Sequence, residues 1–522
     1  MTALRFAAVA GSGLAMALAG LRWLRVAQRE HYLAGAAGRF AWRWWSEGPL
    51  AIGGVALALA GVGLAWRWPG AGLATAVVVG AGPPGLGLRG RTAPLAWTRR
   101  LRTLAALVTG LELIGLATAV LAGVGPVLAA ALALAVPLLV DLGCAITGPF
   151  ERAAAQGHVN RAAERLRRVA PTVVAITGSY GKTGTKTYLA HLLSGSRSVL
   201  ASPASFNNRA GLARAVNENL VEGTEVFVAE MGTYGPGEIA ELCSWLVPDI
   251  AVITAIGPVH LERFGSEQQI VEAKAEILEK AGRAVLNVGD PRLEALAQSG
   301  EQRGQKVRRV RPLLPGDGPD LAAGLVAVRD DLDGLTLFID GAEQARLAPG
   351  PHPANLACAV GVALELGIPV EEIVRRVGQL PPVPHRLEPL TADGGFLVLD
   401  DTYNANPSGA RAALQALKRS GPTTGRRVVV TPGMVELGAR QAEENALFGQ
   451  AAALVADELV VVGLTNRRAL LRGARTAAAG DRQRPFDVVV VRDRSEAVAW
   501  VRAHLGPDDT VLYENDLPDH YP

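Results

Sequence analysis

The chain has 522 residues, too many for one ordinary domain, and carries 52 Lys and Arg against 49 Asp and Glu. Its first 150 residues hold twelve arginines, no lysine and four acids, a formal +8, which leaves the remainder at about −5. Positive charge therefore accompanies apolar runs and forms no basic patch on the rest, which argues against a nucleic-acid-binding protein. Three scattered cysteines without a CxxC pair indicate neither a disulfide framework nor a zinc site.

The first third of the chain is predicted to be a helical transmembrane region. Crossing a hydrocarbon core of about 30 Å takes about 20 residues, and apolar runs of roughly this length occur near 3–23, 49–66, 70–88, 104–123 and 125–148. Arginine-rich segments follow the first, third and fifth runs, whereas the loops between them are nearly uncharged. By the positive-inside rule we expect about five spans, an outside N-terminus and a cytoplasmic remainder. The predicted location is the cell membrane, with lipid as a partner.

Two acidic residues, Glu112 and Asp141, fall inside predicted spans. An unpaired charge in a bilayer is costly, so one interpretation is a functional or paired site that faces the bundle interior. The other is a protonated side chain, or one that reaches the interface from near a span end.

The rest of the chain predicts two α/β domains, a P-loop central domain over 151–388 and a Rossmann-like domain over 389–522. Short apolar runs alternate with helical patterns, and each run ends in Gly, Asp or Glu where a loop begins. The first domain has VVAITG, VFVAEMG, IAVITAIG and AVLNVGD; the second has FLVLDD, RVVVTPG, ELVVVGL, FDVVVV and TVLYEN. In such sheets ligands bind at the carboxyl ends of the strands.

The segment TGSYGKTGTKT (177–187) lies between a predicted strand and a predicted helix. Backbone N–H groups at a glycine-rich helix start surround phosphate oxygens, Lys182 supplies a compact cation, and the Thr183 hydroxyl can ligate Mg²⁺. Only six of the 52 basic residues are lysines, which sets Lys182 apart. An ordinary glycine-rich helix start is the alternative. The predicted nucleotide-binding residues of this loop are Gly178, Ser179, Gly181, Lys182 and Thr183.

Several further motifs follow in order along the chain, and together they resemble the Mur ligase family. They are SFNNRAG (205–211), VAEMG (228–232), GPVHLERFGSEQQIVEAKAEIL (257–278), HPANLACAVGVAL (352–364), HRLE (385–388), DDTYNANP (400–407) and GMVELG (433–438). The match is good over about 170–450 and weak over the last 70 residues. The last two motifs are most similar to the branch of the family that adds a dipeptide amine.

The resemblance implies ATP and Mg²⁺ as cofactors and an ATP-dependent ligase that joins an amino acid or peptide to a carboxylate. Making an amide from a carboxylate requires removal of an oxygen as phosphate, so the γ-phosphoryl group is transferred first and an amine then attacks the acyl phosphate. Glu230 is a hard oxygen ligand suited to Mg²⁺. His260 is a further candidate metal ligand, and the resemblance implies that role; the alternative is a loop histidine bonded to solvent or backbone.

Lys274 lies on a predicted helix beside Glu272 and Glu276, so its residues alone indicate a solvated lysine with acidic partners. The resemblance implies a different role, because the matching lysine of the family is N-carbamylated and binds metal. Arginine could not be the nucleophilic amine for this modification. Lys182, Glu230, His260, Lys274 and Arg386 form the predicted catalytic set.

The resemblance also assigns residues to the nucleotide and the substrates. Arg386, between the two α/β domains, would reach the γ-phosphate; Asn355 would contact adenine, unless it is only a polar residue at a helix start; Asp401 would hold the ribose. The hinge at Arg386 is expected to open and close. The predicted substrate-binding residues are Asn207, Asn208, Tyr403, Asn404, Asn406 and Glu436.

The sequence departs from the family at both ends. Members that act on soluble UDP-linked precursors carry an N-terminal uridine-nucleotide-binding domain, and apolar runs stand in its place here. The carboxylate acceptor is therefore expected to be lipid-linked or presented at the membrane. The C-terminal ENDLPDHYP is acidic where the family has a glycine- and lysine-containing strand end.

Three functions remain open from the sequence. The favoured one is an amide ligase of cell-wall precursor synthesis, with ATP, a carboxylate acceptor and an amine as its partners and no nucleic acid. A poly-γ-glutamate-type polymer synthase is the second, and a membrane ATPase coupled to transport is the third.

Overall fold

The computed structural model describes residues 2–88, 95–203, 206–314, 317, 324–331, 334–403, 405–420, 425–478, 486–517 and 520–521. The chain forms two compact units. The helical unit comprises Met1–Ala155 together with Gly463–Thr465 and Leu517–Pro522, and the α/β unit comprises Gln156–Val462 and Asn466–Asp516.

The described residues of the helical unit form seven helices, and the last of them continues into the α/β unit. They are α1 (Thr2–Arg29), α2 (Ala36–Ser46), α3 (Pro49–Leu64), α4 (Ala71–Ala81), α5 (Arg99–Leu121), α6 (Gly125–Leu134) and α7 (Val136–Val169). Small residues let these helices approach closely, since Ala15, Ala19 and Ala133 are buried in their shared core.

The predicted count of five spans is not matched by the described helices. By length and composition, two of the described helices, Ala3–Arg29 and Arg99–Leu121, could each cross a membrane. The number of possible spans rises to four if each of two bent helix pairs is counted as one span. The bent pairs are Ala36–Ser46 with Pro49–Leu64 and Gly125–Leu134 with Val136–Val169. The third predicted span contains only α4, whose eleven residues reach about 17 Å at 1.5 Å per residue, short of a bilayer core.

Polar groups in the helical unit are used to hold helix ends. Asp141 accepts hydrogen bonds from the N–H groups of Ala37 (3.0 Å) and Gly38 (2.8 Å) at the start of α2. Arg22 donates to the carbonyl of Ala81 at the end of α4, 2.8 Å away. Asp141 therefore has hydrogen-bond partners inside the helical unit, which agrees with the interpretation of this residue as a paired acid. Glu112 is buried, and its Oε1 accepts no hydrogen bond from the described residues.

A nine-stranded sheet forms the first half of the α/β unit, in the order β2-β3-β1-β4-β5-β6-β7-β8-β9. Strands β1 to β7 pair in parallel, and β8 and β9 are antiparallel. The strands are β1 (Thr172–Thr177), β2 (Val199–Ala201), β3 (Val226–Glu230), β4 (Ile250–Ile253), β5 (Arg283–Asn287), β6 (Lys306–Leu313), β7 (Leu325–Asp331), β8 (Gly334–Ile339) and β9 (Ala342–Leu347).

Helices cover both faces of this sheet, which confirms the predicted α/β architecture. Strand β1 shows why: Val173 and Ala175 lie in one apolar core, and Val174 and Ile176 lie in the other. A strand buried on both faces has no polar alternation, and this explains its continuous apolar sequence. The helices are α8 (Lys182–Leu193), α9 (Arg209–Asn219), α10 (Glu238–Trp245), α11 (Leu261–Phe264), α12 (Glu267–Ala275), α13 (Pro291–Gln302), α14 (Pro353–Glu365) and α15 (Val370–Val377).

A six-stranded sheet follows in the order β10-β11-β15-β12-β13-β14, parallel except for β10. Its strands are β10 (Glu388–Thr391), β11 (Leu397–Asp401), β12 (Arg427–Thr431), β13 (Glu458–Val462), β14 (Asp487–Val491) and β15 (Thr510–Glu514). Its helices are α16 (Pro407–Arg419), α17 (Gln441–Val455), α18 (Arg467–Ala478) and α19 (Arg494–His504). The last strand in sequence thus lies in the middle of the sheet, between β11 and β12.

Candidate active site

The predicted phosphate-binding loop connects β1 to α8, as expected. Gly178 and Gly181 both have positive φ (149° and 81°), a conformation that side chains rarely adopt. A Cβ at Gly178 would also collide with the Thr254 hydroxyl. Helix α8 begins at Lys182, so the N–H groups of its first turn, which have no acceptor within the helix, lie at the end of the loop.

Ser179 holds the loop to the segment that follows β4. Its backbone N–H donates to the carbonyl of Ala255 (2.7 Å). Its hydroxyl donates to the Gly257 carbonyl and accepts from the Gly257 N–H, both at 3.0 Å. The Ser179 side chain therefore fixes the position of the segment that leads to His260.

Glu230, at the carboxyl end of β3, is the centre of a buried polar cluster. One of its carboxylate oxygens lies 3.0 Å from the Thr183 hydroxyl and 3.0 Å from the Lys186 ammonium. Its other oxygen accepts from the Asn207 amide at 3.3 Å. The carboxyl of Glu230 is held ionised: burial opposes its charge, but Lys186 and Lys182 outweigh burial and lower its pKa. The Thr183 hydroxyl and the Glu230 carboxylate are neighbouring hard oxygen donors, a set that fits Mg²⁺.

Two further lysines lie close to this cluster, Lys182 half-buried and Lys274 buried. Lys182 donates to the carbonyl of Gly178 at 2.7 Å. Burial lowers its pKa, and the negative charge of Glu230 offsets only part of that effect. Lys274 is 3% exposed, so the interpretation of this residue as a solvated lysine is wrong. Burial, followed by the positive charge of Lys182, lowers the pKa of Lys274 well below its ordinary value.

His260 contacts Glu436, a residue in the second half of the α/β unit that follows β12 in the chain. The His260 Nδ1 contacts one carboxylate oxygen of Glu436, and the other oxygen accepts from Arg263 at 3.2 Å. The ring of Tyr234 lies edge-on to His260, with centroids 4.9 Å apart. Glu436, predicted to bind substrate, therefore holds the predicted metal ligand in this conformation.

Asn355, near the start of α14, lies against the phosphate loop. A Cβ at Gly181 or Gly184 would collide with its amide, so the two glycines make room for it. A cavity of about 490 Å³ opens beside the loop, a size suited to a small ligand. The described residues that line it include Tyr180, Ala255, Ile256, Asn287, Asp290, Arg292 and Ser408.

Arg386 lies between the two sheets and faces acidic groups of the second. Its guanidinium packs over the Tyr403 ring, 4.5 Å from the centroid. Its charge acts on Asp401, on Glu514 and on Lys182, which places it between the phosphate loop and the second sheet. Beside it, His385 Nδ1 contacts Asp400 at 2.7 Å.

Two of the predicted substrate-binding asparagines have structural roles in the described conformation. Asn208 accepts from the N–H of Gly211 at 2.9 Å and caps α9. Asn406 accepts from the N–H of Gly409 at 2.8 Å and caps α16. Asn404 lies outside the described residues.

Sequence reasoning missed two residues of the site. Lys186 is the ion-pair partner of Glu230, and its position four residues after Lys182 in a lysine-poor chain was the available signal. Glu514 contacts Asp401. It begins the acidic C-terminal segment ENDLPDHYP, which departs from the family, and that departure was the available signal.

Two parts of the chain match known family models. Residues 176–311 match the model of the Mur ligase middle domain, and residues 385–513 match the Mur ligase glutamate ligase domain. The UDP-N-acetylmuramoyl-tripeptide--D-alanyl-D-alanine ligase of Mycobacterium tuberculosis is 36% identical over 362 residues, which cover 65% of this chain and 69% of that protein. The Bacillus subtilis enzyme of the same name is 32% identical over 278 residues, covering 52% and 58%.

Solved structures of the same type share the fold. MurF from Thermotoga maritima in complex with ADP has a TM-score of 0.57 and 26% identity, over 69% of this chain and 80% of that one. MurF from Acinetobacter baumannii has a TM-score of 0.57 and 27% identity, over 69% and 76%. The Glu230 cluster lies within the region that matches the middle domain. Asp401 lies within the second matched region, which ends at residue 513, inside strand β15.

Proposed function

The chain belongs to the Mur ligase family of ATP-dependent acid–amino-acid ligases, and from this premise we propose that it joins D-alanyl-D-alanine, or a similar dipeptide amine, to the peptide carboxylate of a cell-wall precursor. The buried Thr183–Lys186–Glu230 cluster at the carboxyl ends of β1 and β3 is the observation that carries the proposal. It supplies cation-binding oxygens directly beside a phosphate-binding loop.

The nucleotide is proposed to lie across the start of α8. The β- and γ-phosphates would accept from N–H groups of residues 180–183, since the Ser179 N–H already donates to the Ala255 carbonyl, and Lys182 would exchange its contact with the Gly178 carbonyl for a phosphate oxygen. The adenosine enters the cavity beside Tyr180 and Asn287. Asn355 lies against Gly181 and Gly184 and keeps the loop in this shape, and Asp401 reaches the ribose.

Thr183 and Glu230 would hold a Mg²⁺ ion, with His260 and the modified side chain of Lys274 as further ligands. When bound, such an ion neutralises phosphate charge. Lys274 is suited to modification because an uncharged amine is the form that reacts with CO₂. In the described conformation His260 is held by Glu436, which links the metal ligand to the position of the second sheet.

The reaction is proposed to proceed in two steps. The acceptor carboxylate attacks the γ-phosphorus, ADP leaves, and Lys182 and Arg386 bind the charge that develops on the phosphoryl oxygens. The amine then attacks the carbonyl carbon of the acyl phosphate, and the C–O bond to phosphate breaks as the amide forms. The domain limits of 1–150, 151–388 and 389–522 remain a prediction that goes with this proposal.

We also propose that the helical unit lies in the membrane and that the acceptor is presented there, with the catalytic part on the cytoplasmic side. Large apolar side chains of this unit face outward, among them Trp42, Leu50, Trp66, Leu121 and Phe150. Exposed apolar surface of this extent marks contact with lipid or another apolar partner. Tryptophans are also enriched at the edges of membrane-spanning regions.

The test is product analysis with the full-length chain in detergent micelles. The chain is offered ATP, Mg²⁺, bicarbonate and D-alanyl-D-alanine with either a UDP-linked muropeptide or a cell-envelope lipid extract, and products are identified by mass spectrometry. We expect one amide product per ADP, with the lipid extract as the better acceptor source. Lys182→Met should abolish the product, whereas Lys280→Met, a change on the exposed surface, should not.

Other products would contradict the proposal. ADP formation without an amide would indicate an ATPase, and repeated addition of glutamate would indicate a polymer synthase. Equal activity with both acceptors would remove the argument for a lipid-linked substrate.

A further inference from the structure

Helix α18 carries a basic face at the surface of the α/β unit. Its sequence, RRALLRGARTAA, has four arginines and no acidic residue. Leu470 and Ala474 are buried on one side of the helix, whereas Arg468, Arg472 and Arg475 are exposed on the other. Their spacing of four and three residues brings these three arginines together, and they form the arginine face of α18. The sequence predicted no basic patch outside the first third of the chain, and this face is an exception that helical spacing assembles.

The opposite side of α18 is fixed against α17. A Cβ at Gly473 would collide with the carbonyl of Ala446, and a Cβ at Gly449 would collide with the backbone of Leu470. The two helices therefore pack backbone against backbone at these glycines. A rotation of α18 that buried its arginines would break this contact, so the arginine face stays at the surface.

The arginine face has no acidic partner among the residues that the structure describes. Arg472 donates to a neutral acceptor, the carbonyl of Ala442, at 3.2 Å. Arg346 is also exposed, but it lies 2.8 Å from the carboxylate of Glu343. Neighbouring guanidiniums without a counter-charge repel one another, and an anionic ligand removes that repulsion.

A cavity of about 500 Å³ opens on the same face of the helix. The arginine face lines it together with Leu471 and Thr476. A guanidinium binds phosphate oxygens with two parallel N–H donors, and it is more weakly hydrated than an ammonium. Leu471 adds apolar contact. Cationic and apolar groups in one cavity suit a phospholipid, whose charged phosphate lies next to the start of its apolar chains.

The chain enters α18 directly from the helical unit. Gly463–Thr465 belong to that unit, and only Asn466 separates them from Arg467, the first residue of the helix. The Asn466 amide donates to the carbonyl of Pro432 at 3.0 Å and accepts from Gln441 at 2.9 Å, so this junction is held in place. Basic segments that follow a membrane-embedded part attract the anionic lipids of the cytoplasmic leaflet.

We propose that the arginine face binds the phosphate groups of anionic lipids and so holds the second half of the α/β unit at the membrane surface. The proposal goes beyond the ligase function, and it rests on the proposed membrane location of the helical unit. One arginine near an anionic leaflet changes the ratio of docked to free protein by about fivefold, or about 1 kcal/mol, and three together change it by about 10²-fold. Because the attraction is electrostatic, added salt weakens it.

Chemical modification of arginine tests this interaction in the full-length chain. The chain is placed in lipid nanodiscs made either of phosphatidylcholine alone or of two parts phosphatidylcholine and one part phosphatidylglycerol. Phenylglyoxal, a neutral reagent, modifies accessible guanidiniums, and mass spectrometry of peptides gives the rate at each arginine. We expect the arginine face to react about 10²-fold more slowly in the discs with phosphatidylglycerol, and Arg346, exposed in the first half of the α/β unit, to react equally in both. High salt should remove the difference.

A variant measures the contribution of the separate charges. In Arg472→Gln/Arg475→Gln, Arg468 remains as a reporter, and its protection should fall from about 10²-fold to about fivefold. The control variant Arg346→Gln/Arg375→Gln removes the same net charge from two other exposed positions and should leave the protection of Arg468 unchanged.

Several results would overturn the proposal. Equal protection in both kinds of disc, or none in either, would show that anionic lipid does not bind the arginine face. Equal protection by inorganic phosphate or a short single-stranded RNA, in detergent micelles without phosphatidylglycerol, would assign the face to a soluble anion. A chain that phosphatidylcholine discs do not retain would overturn the membrane location and this inference with it. The ligase function is measured separately, by product analysis, and stands under each of these outcomes.

Discussion

Removing Glu230 should destabilise the α/β unit far more than removing an exposed acid. Its carboxylate lies 3.0 Å from the Lys186 ammonium, and the two side chains are 2% and 6% exposed. In Glu230→Ala the ammonium keeps its burial and loses its counter-charge, a situation that costs about 3–5 kcal/mol. Loss of the lysine proton offers no cheaper escape, because deprotonating a solvated lysine at neutral pH itself costs about 5 kcal/mol.

Hydrogen exchange followed by mass spectrometry measures this cost locally in the full-length chain. Peptides from β3 and α8 report their free energy of opening, and 3–5 kcal/mol corresponds to roughly 100- to 4,000-fold faster exchange. The matched control is Glu218→Ala, which removes the exposed pair of Arg214 and Glu218, 2.9 Å apart on one helix. That change should cost at most about 0.5 kcal/mol.

A double variant tests the cause of the loss. Lys186→Met in the Glu230→Ala background removes the stranded charge and keeps an apolar side chain of similar length, so most of the stability should return. If Glu230→Ala exchanges no faster than Glu218→Ala, the two charges do not depend on each other. If the double variant is as unstable as the single one, packing and not charge explains the loss.

Three further changes have expected outcomes. Because the pKa of Glu230 is lowered in the folded chain, its stabilising effect is complete above the ordinary glutamate pKa of about 4.3 and is lost as the pH falls through the lower folded value. The free energy of opening of β3, obtained from exchange rates after correction for the pH dependence of chemical exchange, should therefore stay constant from neutral pH to about 5 and fall only below about 4. Glu230→Gln should lack this dependence. Incubation with ¹³C-bicarbonate should give a carbamate carbon signal in NMR spectra of the wild type and of Lys280→Arg, and Lys274→Arg should lack it; a signal that persists in Lys274→Arg would assign the modification elsewhere. Asp141→Ala should cost about 0.5–2 kcal/mol by removing the acceptor for two N–H groups at the start of α2, seen as faster exchange confined to that helix; unchanged exchange there would contradict the capping role.

The strands and the phosphate loop were predictable because local sequence determines them. VFVAEMG became β3 with Glu230 at its end, since a continuous apolar run that stops at a polar residue is what a strand buried on both faces requires. The same logic placed Asp401 at the end of β11. The position of the phosphate loop followed from its glycines, whose positive φ values leave few alternatives.

Interactions between distant segments were harder to predict from the sequence. The motifs predict that Asn208 and Asn406 bind substrate. In the structure both side chains cap helices, a use that a motif alone cannot distinguish from binding, and their role in substrate binding stays a prediction. The pairing of Lys186 with Glu230 depends on β1 and β3 being neighbours and on the face of α8 that meets them. The sequence did not reveal that α4 is short, because hydropathy measures composition and not where a helix ends.

The Asp401–Glu514 pair shows most clearly what sequence order conceals. The two residues are more than a hundred positions apart, and nothing in the run TVLYEN states that its strand enters between β11 and β12. That insertion has a chemical consequence, because it places the last strand at the centre of the edge where Arg386 and the Glu436 segment meet. A change at the C-terminal end of this sheet therefore alters the charge at the middle of the candidate site. Departures from the family in the final strand should for this reason affect the choice of amine more than departures in the peripheral strand β14.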